Sequence, residues 1–437
     1  MLYKFLRFTV SIGIRFYYKE VKIKNNHNLV DSGPCIVIAN HPNTLMDAWL
    51  MGFIHKRRVF FMAKATFFSS PFKRKILGSL GMIPVNRKSD GAISGVNNKD
   101  SFEACYRLLE EGGLLVVFPE GTSYLERQLR ELKTGTARIG LEAEKRSQGK
   151  ISLKVVPVGL NYLDGDSYRG RVLIDVGTPI DLDKYWENYE KEPIETSKLV
   201  TEQFRIGLSR VFVNLDDSHK EKMVEELTEL FDTRYSNRME KASSSISLMR
   251  ELSDKLDALK LTEPWKLGEV QKRITKLKED LNANSIQADF LDRTFRRSMF
   301  VRQSIQSFLF LLLTIPIFTY GFLHHVIQYR LIAFSLPRLT KEVEYHAPIA
   351  VLLGLFLYPL FYAGFGVLFY QIFDVKWYQL VCYLISLPLS GVFAHFYMEY
   401  AQLVFGKRHF TSFAKKKEQV FKDLKKQREE LKQLILD

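Results

Sequence analysis

The chain is poor in cysteine, and the three cysteines that it has are far apart in the sequence. Cys35, Cys105 and Cys382 give no disulfide framework, and they lack the paired spacing of a structural zinc site. No cluster of histidine, cysteine and carboxylate side chains has the spacing of metal ligands elsewhere in the sequence. We therefore expect a protein of a reducing compartment that holds no metal.

The sequence also lacks the patterns of a secreted protein and of a nucleic-acid-binding protein. Cations interrupt the apolar residues of the first 24 positions, and no small-residue cleavage site is evident, so this stretch is not a signal peptide. Zinc-finger, RNP and helix-turn-helix patterns are absent. The net charge is nevertheless +14. We expect its partners to be an anionic membrane surface and anionic small substrates, with no nucleic acid.

The composition changes several times along the 437 residues, which are too many for one ordinary domain. We predict five regions, which are an amphipathic membrane-associated helix at 1–27, an α/β domain at 28–182, a charged helical region at 183–300, a transmembrane region at 301–406 and a basic helical tail at 407–437. The amphipathic helix has two interpretations. Its basic face is typical of a helix that lies on an anionic leaflet, and its apolar face also suits a first helix that packs on its own domain.

Between residues 34 and 181, apolar strands alternate with helical stretches. This alternation predicts an α/β fold in which a largely parallel sheet is flanked by helices. Functional sites in such sheets gather at the carboxyl ends of the strands. His41, Arg87 and Glu120 each follow an apolar strand closely, so we expect them to converge on one edge of the sheet.

Three stretches near the C-terminus are almost free of charge and long enough to cross a bilayer. They lie at 305–327, 346–373 and 378–404, and a shorter apolar piece lies at 330–334. The regions before and after them are rich in Lys and Arg, so both are expected on the cytoplasmic side, which requires an even number of crossings. Either the short apolar piece at 330–334 completes a fourth crossing, or one of the three long stretches does not cross the bilayer.

A histidine and a carboxylate stand together after the first buried strand. Pro42 ends the apolar run directly after His41, and Asp47 lies about one helical turn beyond. This is the arrangement of a general base with an orienting carboxylate. Two simpler interpretations stay open, because a histidine at a strand end is often structural and Asp47 could form a capping box with Thr44.

Four sequence blocks follow one another in the predicted α/β domain. They are NHPNTLMD at 40–47, GMIPVNR at 81–87, FPEGTS at 118–123 and VVPVG at 155–159. In this order they resemble the blocks of the glycerol-3-phosphate and 1-acylglycerol-3-phosphate acyltransferase family. The resemblance covers residues 34–161 and implies the fold of glycerolipid acyltransferases. It also implies that a fatty acyl group moves from acyl-CoA or acyl carrier protein to a phosphorylated glycerol, without a cofactor, in phospholipid biosynthesis.

The resemblance implies a role for individual residues of this sequence. His41 is the general base and Asp47 its orienting carboxylate, while Arg87 binds the phosphate of the acceptor. The remaining positions that match substrate-binding residues of the family are Glu120, Gly121, Thr122, Lys133 and Pro157. Among these, Thr122 could equally cap a turn, and Pro157 is expected near the acyl chain. The enzyme would be an integral membrane protein with its catalytic domain on the cytoplasmic face.

One feature departs from the family pattern. Five residues separate His41 from Asp47, where the family usually has four, and Met46 stands at the usual aspartate position. A branch that resembles fungal glycerol-3-phosphate and dihydroxyacetone-phosphate acyltransferases looks similar here, which favours glycerol 3-phosphate as acceptor. Two alternatives remain: an acyltransferase for another lipid acceptor, such as a sugar or amino-acid lipid, and a non-catalytic lipid-binding protein on the same scaffold.

Overall fold

The computed structural model describes residues 2–86, 98–163, 167–215, 217–231, 241–286, 288, 291, 297–416 and 418–436. The chain forms two compact units. The first comprises Met1–Asp217 and Thr340–Val351, and the second comprises Ser218–Leu339 and Leu352–Asp437.

The first unit is built on a mixed, mostly parallel sheet. Its strands are β1 (Glu20–Lys24), β2 (Cys35–Ala39), β3 (Val59–Lys64), β4 (Met82–Val85), β5 (Leu114–Val117), β6 (Lys154–Tyr162), β7 (Arg171–Val176) and β8 (Ile180–Asp181). The strand order is β1-β7-β6-β2-β5-β3-β4, with β8 beside β6. Only the pairs β6–β7 and β6–β8 are antiparallel in the part of the chain that the structure describes. The predicted α/β fold with a largely parallel sheet is confirmed.

Helices flank this sheet. They are α1 (Leu2–Tyr17), α2 (Thr44–Ile54), α3 (Pro71–Ser79), α4 (Asn98–Glu110), α5 (Gly135–Arg146), α6 (Trp186–Lys191) and α7 (Pro193–Val211). β2 and β5 are buried along their whole length, as strands covered on both faces must be. Ile36 and Ile38 of β2 share one core with Leu141 of α5 and Phe204 of α7. The helices α6 and α7 therefore pack in this unit, although they lie beyond the predicted boundary at residue 182.

The direction of the strands fixes where the loops meet. β2 and β5 are parallel with Cys35 opposite Leu114, and β3 and β4 continue the parallel order beyond β5. The segments that follow β2, β5, β3 and β4 therefore leave the sheet at the same edge. We call this edge the carboxyl edge.

The N-terminal segment combines a helix and a strand. Ile14 and Tyr17 of α1 are buried, and the Arg7 guanidinium donates to the carbonyls of His55 and Lys56, so α1 packs on its own unit. Another stripe of α1 is exposed and consists of Leu2, Phe5, Phe8, Ile12 and Phe16. This stripe suits a membrane surface, and membrane association of residues 1–27 stays a prediction. The helix ends at Tyr17, and residues 20–24 form β1 instead, because Val21 and Ile23 alternate with polar residues.

The second unit is helical. Its helices are α8 (Ser218–Phe231), α9 (Lys241–Thr262), α10 (Trp265–Ala283), α11 (Arg297–Leu339), most of α12 (His346–Phe373), α13 (Trp377–Lys416) and α14 (Glu418–Leu436). Three helical segments are long and apolar enough to cross a membrane: Ser304–Leu339, Val343–Phe373 and Trp377–Gln402. The short apolar piece at 330–334 is part of α11. It is therefore not a separate segment that could complete a fourth crossing.

Candidate active site

His41 and Asp47 are hydrogen-bonded at the carboxyl edge. The distance from His41 Nδ1 to Asp47 Oδ2 is 2.8 Å, and the imidazole keeps 15% of its surface exposed whereas the carboxylate has none. Because a carboxylate only accepts hydrogen bonds, Nδ1 carries the proton that the two groups share and Nε2 is left as an acceptor. The pair therefore has the geometry of a base and its orienting group.

Asp47 is held by two further donors. Its Oδ2 accepts the backbone N–H of Asn43 at 2.7 Å, and its Oδ1 accepts the hydroxyl of Tyr162 at 2.5 Å. Tyr162 ends β6, and burial together with the negative charge of Asp47 holds the pKa of its hydroxyl well above the ordinary value. The hydroxyl therefore stays protonated and stabilises the buried carboxylate.

A strained turn explains how the longer spacing still joins the pair. Asn40 extends the ladder between β2 and β6, since its side chain exchanges two hydrogen bonds with the backbone of Leu160 at 2.7 and 3.0 Å. The chain then turns through Thr44, whose φ of 41° is unusual for a β-branched residue. Ser123 Oγ accepts the Thr44 N–H at 3.0 Å and so holds the turn from the third sequence block. This turn opens α2 with Asp47 facing His41.

The loop after β5 completes the surroundings of His41. The Phe118 ring stacks on the imidazole with the ring centres 4.0 Å apart. Glu120 accepts the backbone N–H of His41 at 3.2 Å and that of Arg130 at 3.1 Å. Burial raises the pKa of Glu120, while these two N–H donors act in the opposite direction. The first and third blocks, which lie apart in sequence, thus form one structure.

Gly121 and Lys133 lie against each other beside Glu120. Gly121 has a φ of 76°, and a Cβ at this position would lie only 2.6 Å from Lys133 Nζ. Any side chain here would displace the ammonium group, so the glycine is needed for this close approach. Thr122 is exposed next to it. The Lys133 ammonium therefore lies at the turn that follows β5.

The two other predicted substrate-binding residues are Arg87 and Pro157, and the structure describes only Pro157. Arg87 lies outside the described residues, although β4 before it ends at the carboxyl edge. Pro157 is buried in the middle of β6, and its ring lies close to Gly177 and to Gly207 of α7. The structure therefore places Pro157 in the packing between β6 and α7. Its proximity to an acyl chain stays a prediction.

The thiols and the metal-binding side chains of the described chain do not form a second centre. Burial raises the pKa of both Cys35 and Cys105 to about 12, so neither thiol is an activated nucleophile. Within the described ranges, no three His, Cys, Asp or Glu side chains are grouped as metal ligands.

Sequence reasoning missed Tyr162 and Asn40. Tyr162 is 115 residues from Asp47, and nothing near either residue in the sequence indicates their contact. Asn40 belongs to the first block and could have been found there, because a polar residue directly after a buried strand needs hydrogen-bond partners.

The chain is similar to known proteins in sequence. A family model described as Acyltransferase matches residues 20–161. Glycerol-3-phosphate O-acyltransferase 2 of Saccharomyces cerevisiae is 31% identical over 123 residues, which is 28% of this chain and 16% of the yeast protein. A chloroplastic 1-acyl-sn-glycerol-3-phosphate acyltransferase of Brassica napus is 26% identical over 151 residues, which is 34% of this chain and 39% of the plant protein.

Among solved structures, the 1-acyl-sn-glycerophosphate acyltransferase PlsC of Thermotoga maritima matches with a TM-score of 0.31 and 20% identity, over 46% of this chain and 81% of that protein. The chain spans less than half the length of the curated relatives named above. The family resemblance of the four blocks is confirmed. Residues 20–161, which match the Acyltransferase family model, contain His41, Asp47 and the Glu120 loop.

Proposed function

We propose that the chain is a membrane-bound O-acyltransferase that moves a fatty acyl group to a phosphorylated glycerol. The donor is acyl-CoA or acyl carrier protein, and the acceptor is glycerol 3-phosphate or 1-acylglycerol 3-phosphate in phospholipid biosynthesis. The observation that carries the proposal is the 2.8 Å hydrogen bond between the partly exposed His41 and the buried Asp47. Relatives named for both acceptors support it.

The reaction needs a base for the acceptor alcohol. Nε2 of His41 takes the hydroxyl proton while the alcohol oxygen attacks the thioester carbonyl. Asp47 stabilises the imidazolium that forms, and Tyr162 and the Asn43 N–H hold Asp47 in place. The tetrahedral intermediate then expels the thiolate, which takes the proton back from His41. An ester forms, a thioester breaks, and no bound metal, cofactor or acyl-enzyme is required.

Two cations of the predicted site, Lys133 and Arg87, would bind the phosphate of the acceptor. The Lys133 ammonium lies against Gly121, in the loop whose Glu120 carboxylate contacts the His41 backbone. Arg87 adds a guanidinium that suits bidentate phosphate binding, and Thr122 adds an exposed hydroxyl. Together they would orient the glycerol so that one hydroxyl faces Nε2 of His41.

The three long apolar segments support an integral membrane protein. We place the catalytic domain on the cytoplasmic face, because the sequence around these segments is rich in Lys and Arg. Acyl-CoA and acyl carrier protein would reach the site from the cytoplasm, and the acylated product would pass into the membrane.

An acceptor panel tests the proposed reaction. Membranes containing the full chain are given either acyl-CoA or acylated acyl carrier protein as donor. The free thiol that is released is measured with and without each acceptor. We expect thiol release that depends on glycerol 3-phosphate or 1-acylglycerol 3-phosphate. Release that depends only on a sugar or amino-acid lipid would replace the proposed acceptor. Absence of acceptor-dependent release with either acyl-CoA or acyl carrier protein would contradict enzymatic activity.

A further inference from the structure

A long part of the first unit carries charge of one sign only. Residues 48–89 contain nine Lys and Arg residues and no Asp or Glu. Three of the cations, Lys73, Arg74 and Lys75, are consecutive and exposed in the first turns of α3. None of these three is in an ion pair with another described residue. Their charge is therefore available to an external anion.

Two phenylalanine rings are exposed beside these cations. Phe67 is 55% exposed and Phe72 is 72% exposed, whereas Phe68 between them is buried. An exposed large ring is costly in water unless another surface covers it. We call Phe67, Phe72, Lys73, Arg74 and Lys75 the aromatic–basic surface.

The aromatic–basic surface lies at the carboxyl edge. It follows β3, which is parallel to β5, and β5 is parallel to β2. The chain therefore leaves β3 at the edge where His41 follows β2 and Glu120 follows β5. The surface that displays rings and cations is on the same edge of the sheet as the candidate active site.

We infer that the aromatic–basic surface docks the first unit onto an anionic lipid surface. Aromatic rings enter the boundary between headgroups and acyl chains, and Lys and Arg bind the lipid phosphates around them. A purely ionic partner would leave the two rings uncovered, and a purely apolar partner would leave the three cations unmatched. The inference concerns docking alone and does not require the chemistry proposed for His41.

Fluorescence quenching in nanodiscs tests the docking directly. Thr66 is exposed next to Phe67, so a Thr66→Cys variant carries a bimane label while both rings stay in place. Cys382 is exposed and is replaced by Ser, whereas the buried Cys35 and Cys105 do not compete for the label. The full chain is placed in phosphatidylcholine nanodiscs with and without phosphatidylglycerol, and lipids that carry a doxyl group near the headgroup serve as quenchers.

The matched control is the same label at Glu110→Cys. Glu110 is exposed and precedes β5, so it lies at the opposite edge of the sheet. We expect strong quenching at position 66 and little at position 110, and we expect Phe67→Ser with Phe72→Ser to abolish the quenching at position 66. Equal quenching at both positions, or none at position 66, would overturn the inference. A response at position 66 to added acyl carrier protein but not to lipid would also overturn it, because the partner would then be an acidic protein.

Two double variants test whether docking needs the positive charge of the aromatic–basic surface. Lys73→Gln with Lys75→Gln removes two cations of the surface, whereas Lys150→Gln with Lys154→Gln removes two exposed cations near the start of β6, at the opposite edge. Each cation near an anionic leaflet contributes roughly a fivefold factor, so the first pair should lower the equilibrium constant for docking by about 25-fold in nanodiscs with phosphatidylglycerol. Equal effects of the two pairs would contradict docking through this surface.

Discussion

At the scale of single residues, the buried Asp47 carboxylate connects three parts of the first unit. It accepts hydrogen bonds from His41 after β2, from the backbone of Asn43 before α2, and from Tyr162 at the end of β6. A buried carboxylate is costly unless such donors compensate for lost water. The same donors also fix the position of the Asp47 carboxylate beside His41.

We predict that Tyr162→Phe lowers kcat/KM by about tenfold, because a hydrogen bond to a charged group contributes about 1.5 kcal/mol or more. With one donor fewer, the buried Asp47 carboxylate is held less firmly towards His41. Steady-state kinetics with the phosphorylated acceptor measures the loss. Tyr168→Phe removes a hydroxyl from a half-exposed ring elsewhere in the unit and serves as control. Equal kcat/KM values for Tyr162→Phe and Tyr168→Phe would show that the Tyr162 hydroxyl does not support the site through Asp47.

Arg87 is predicted from the second sequence block alone. We expect Arg87→Ala to raise the KM for the phosphorylated acceptor by about tenfold or more, because a charge-assisted bidentate contact is lost. The KM for the acyl donor should change much less. Steady-state kinetics with each substrate varied in turn measures both values. Equal increases would remove the phosphate-binding role from Arg87.

At the scale of elements, α11 and α13 pack antiparallel through polar contacts between apolar helices. Hydrogen bonds join Ser307 to Tyr400 at 2.8 Å, Tyr320 to Ser386 at 2.7 Å, and His324 to Tyr383 at 3.0 Å. The neighbouring His325 binds Tyr362 of α12 at 2.8 Å. Such contacts hold helices together where lipid offers no competing partner.

A close approach of backbones accompanies these hydrogen bonds. A Cβ at Gly321 would collide with the backbone carbonyl of Ser390, which cannot move aside as a flexible side chain could. We predict that Gly321→Leu destabilises the helix pair by about 1–3 kcal/mol, the usual cost of overpacking. Thermal unfolding of the full chain in detergent measures the effect. Gly364→Leu is the matched control, because a Cβ at Gly364 meets nothing within 4 Å, and equal losses in Tm would contradict the close contact.

Sequence patterns predicted the elements well wherever local periodicity decides the structure. β2, β4 and β7 are such cases, because each is a short apolar run between turn residues. β1 was not predicted, since its strand pattern directly follows a helical one. In the candidate site, the proximity of His41 and Asp47 could be predicted from one helical turn. The support from Tyr162 could not, because it depends on the pairing of β6 with β2.

At the scale of the whole molecule, the packing of α14 restricts how the chain crosses a membrane. Arg273 of α10 contacts Glu430 of α14 at 3.5 Å, and Gln427 donates to Asp280 at 3.1 Å. We therefore expect the chain before α11 and the chain after α13 to lie on the same side of a membrane. Three complete crossings would separate them, so we expect that at least one of the three long apolar segments does not span the bilayer.

We predict that labels on α10 and α14 are reached from the same side of the membrane. Lys276→Cys and Lys426→Cys are suitable, because both positions are exposed, and Cys382→Ser removes the exposed native thiol. An impermeant maleimide applied to sealed vesicles of one orientation should label both positions or neither. Labelling of only one position would contradict the packing of α10 with α14.

The proposed acyl transfer depends on the imidazole of His41 as a base. Acceptor-dependent thiol release by His41→Ala, compared with the exposed His27→Ala as control, tests this most directly. We predict a loss of about 100-fold to 10,000-fold in kcat for His41→Ala, the usual contribution of a general base, and near-normal activity for His27→Ala. Near-normal acyl transfer by purified His41→Ala protein would contradict the mechanism.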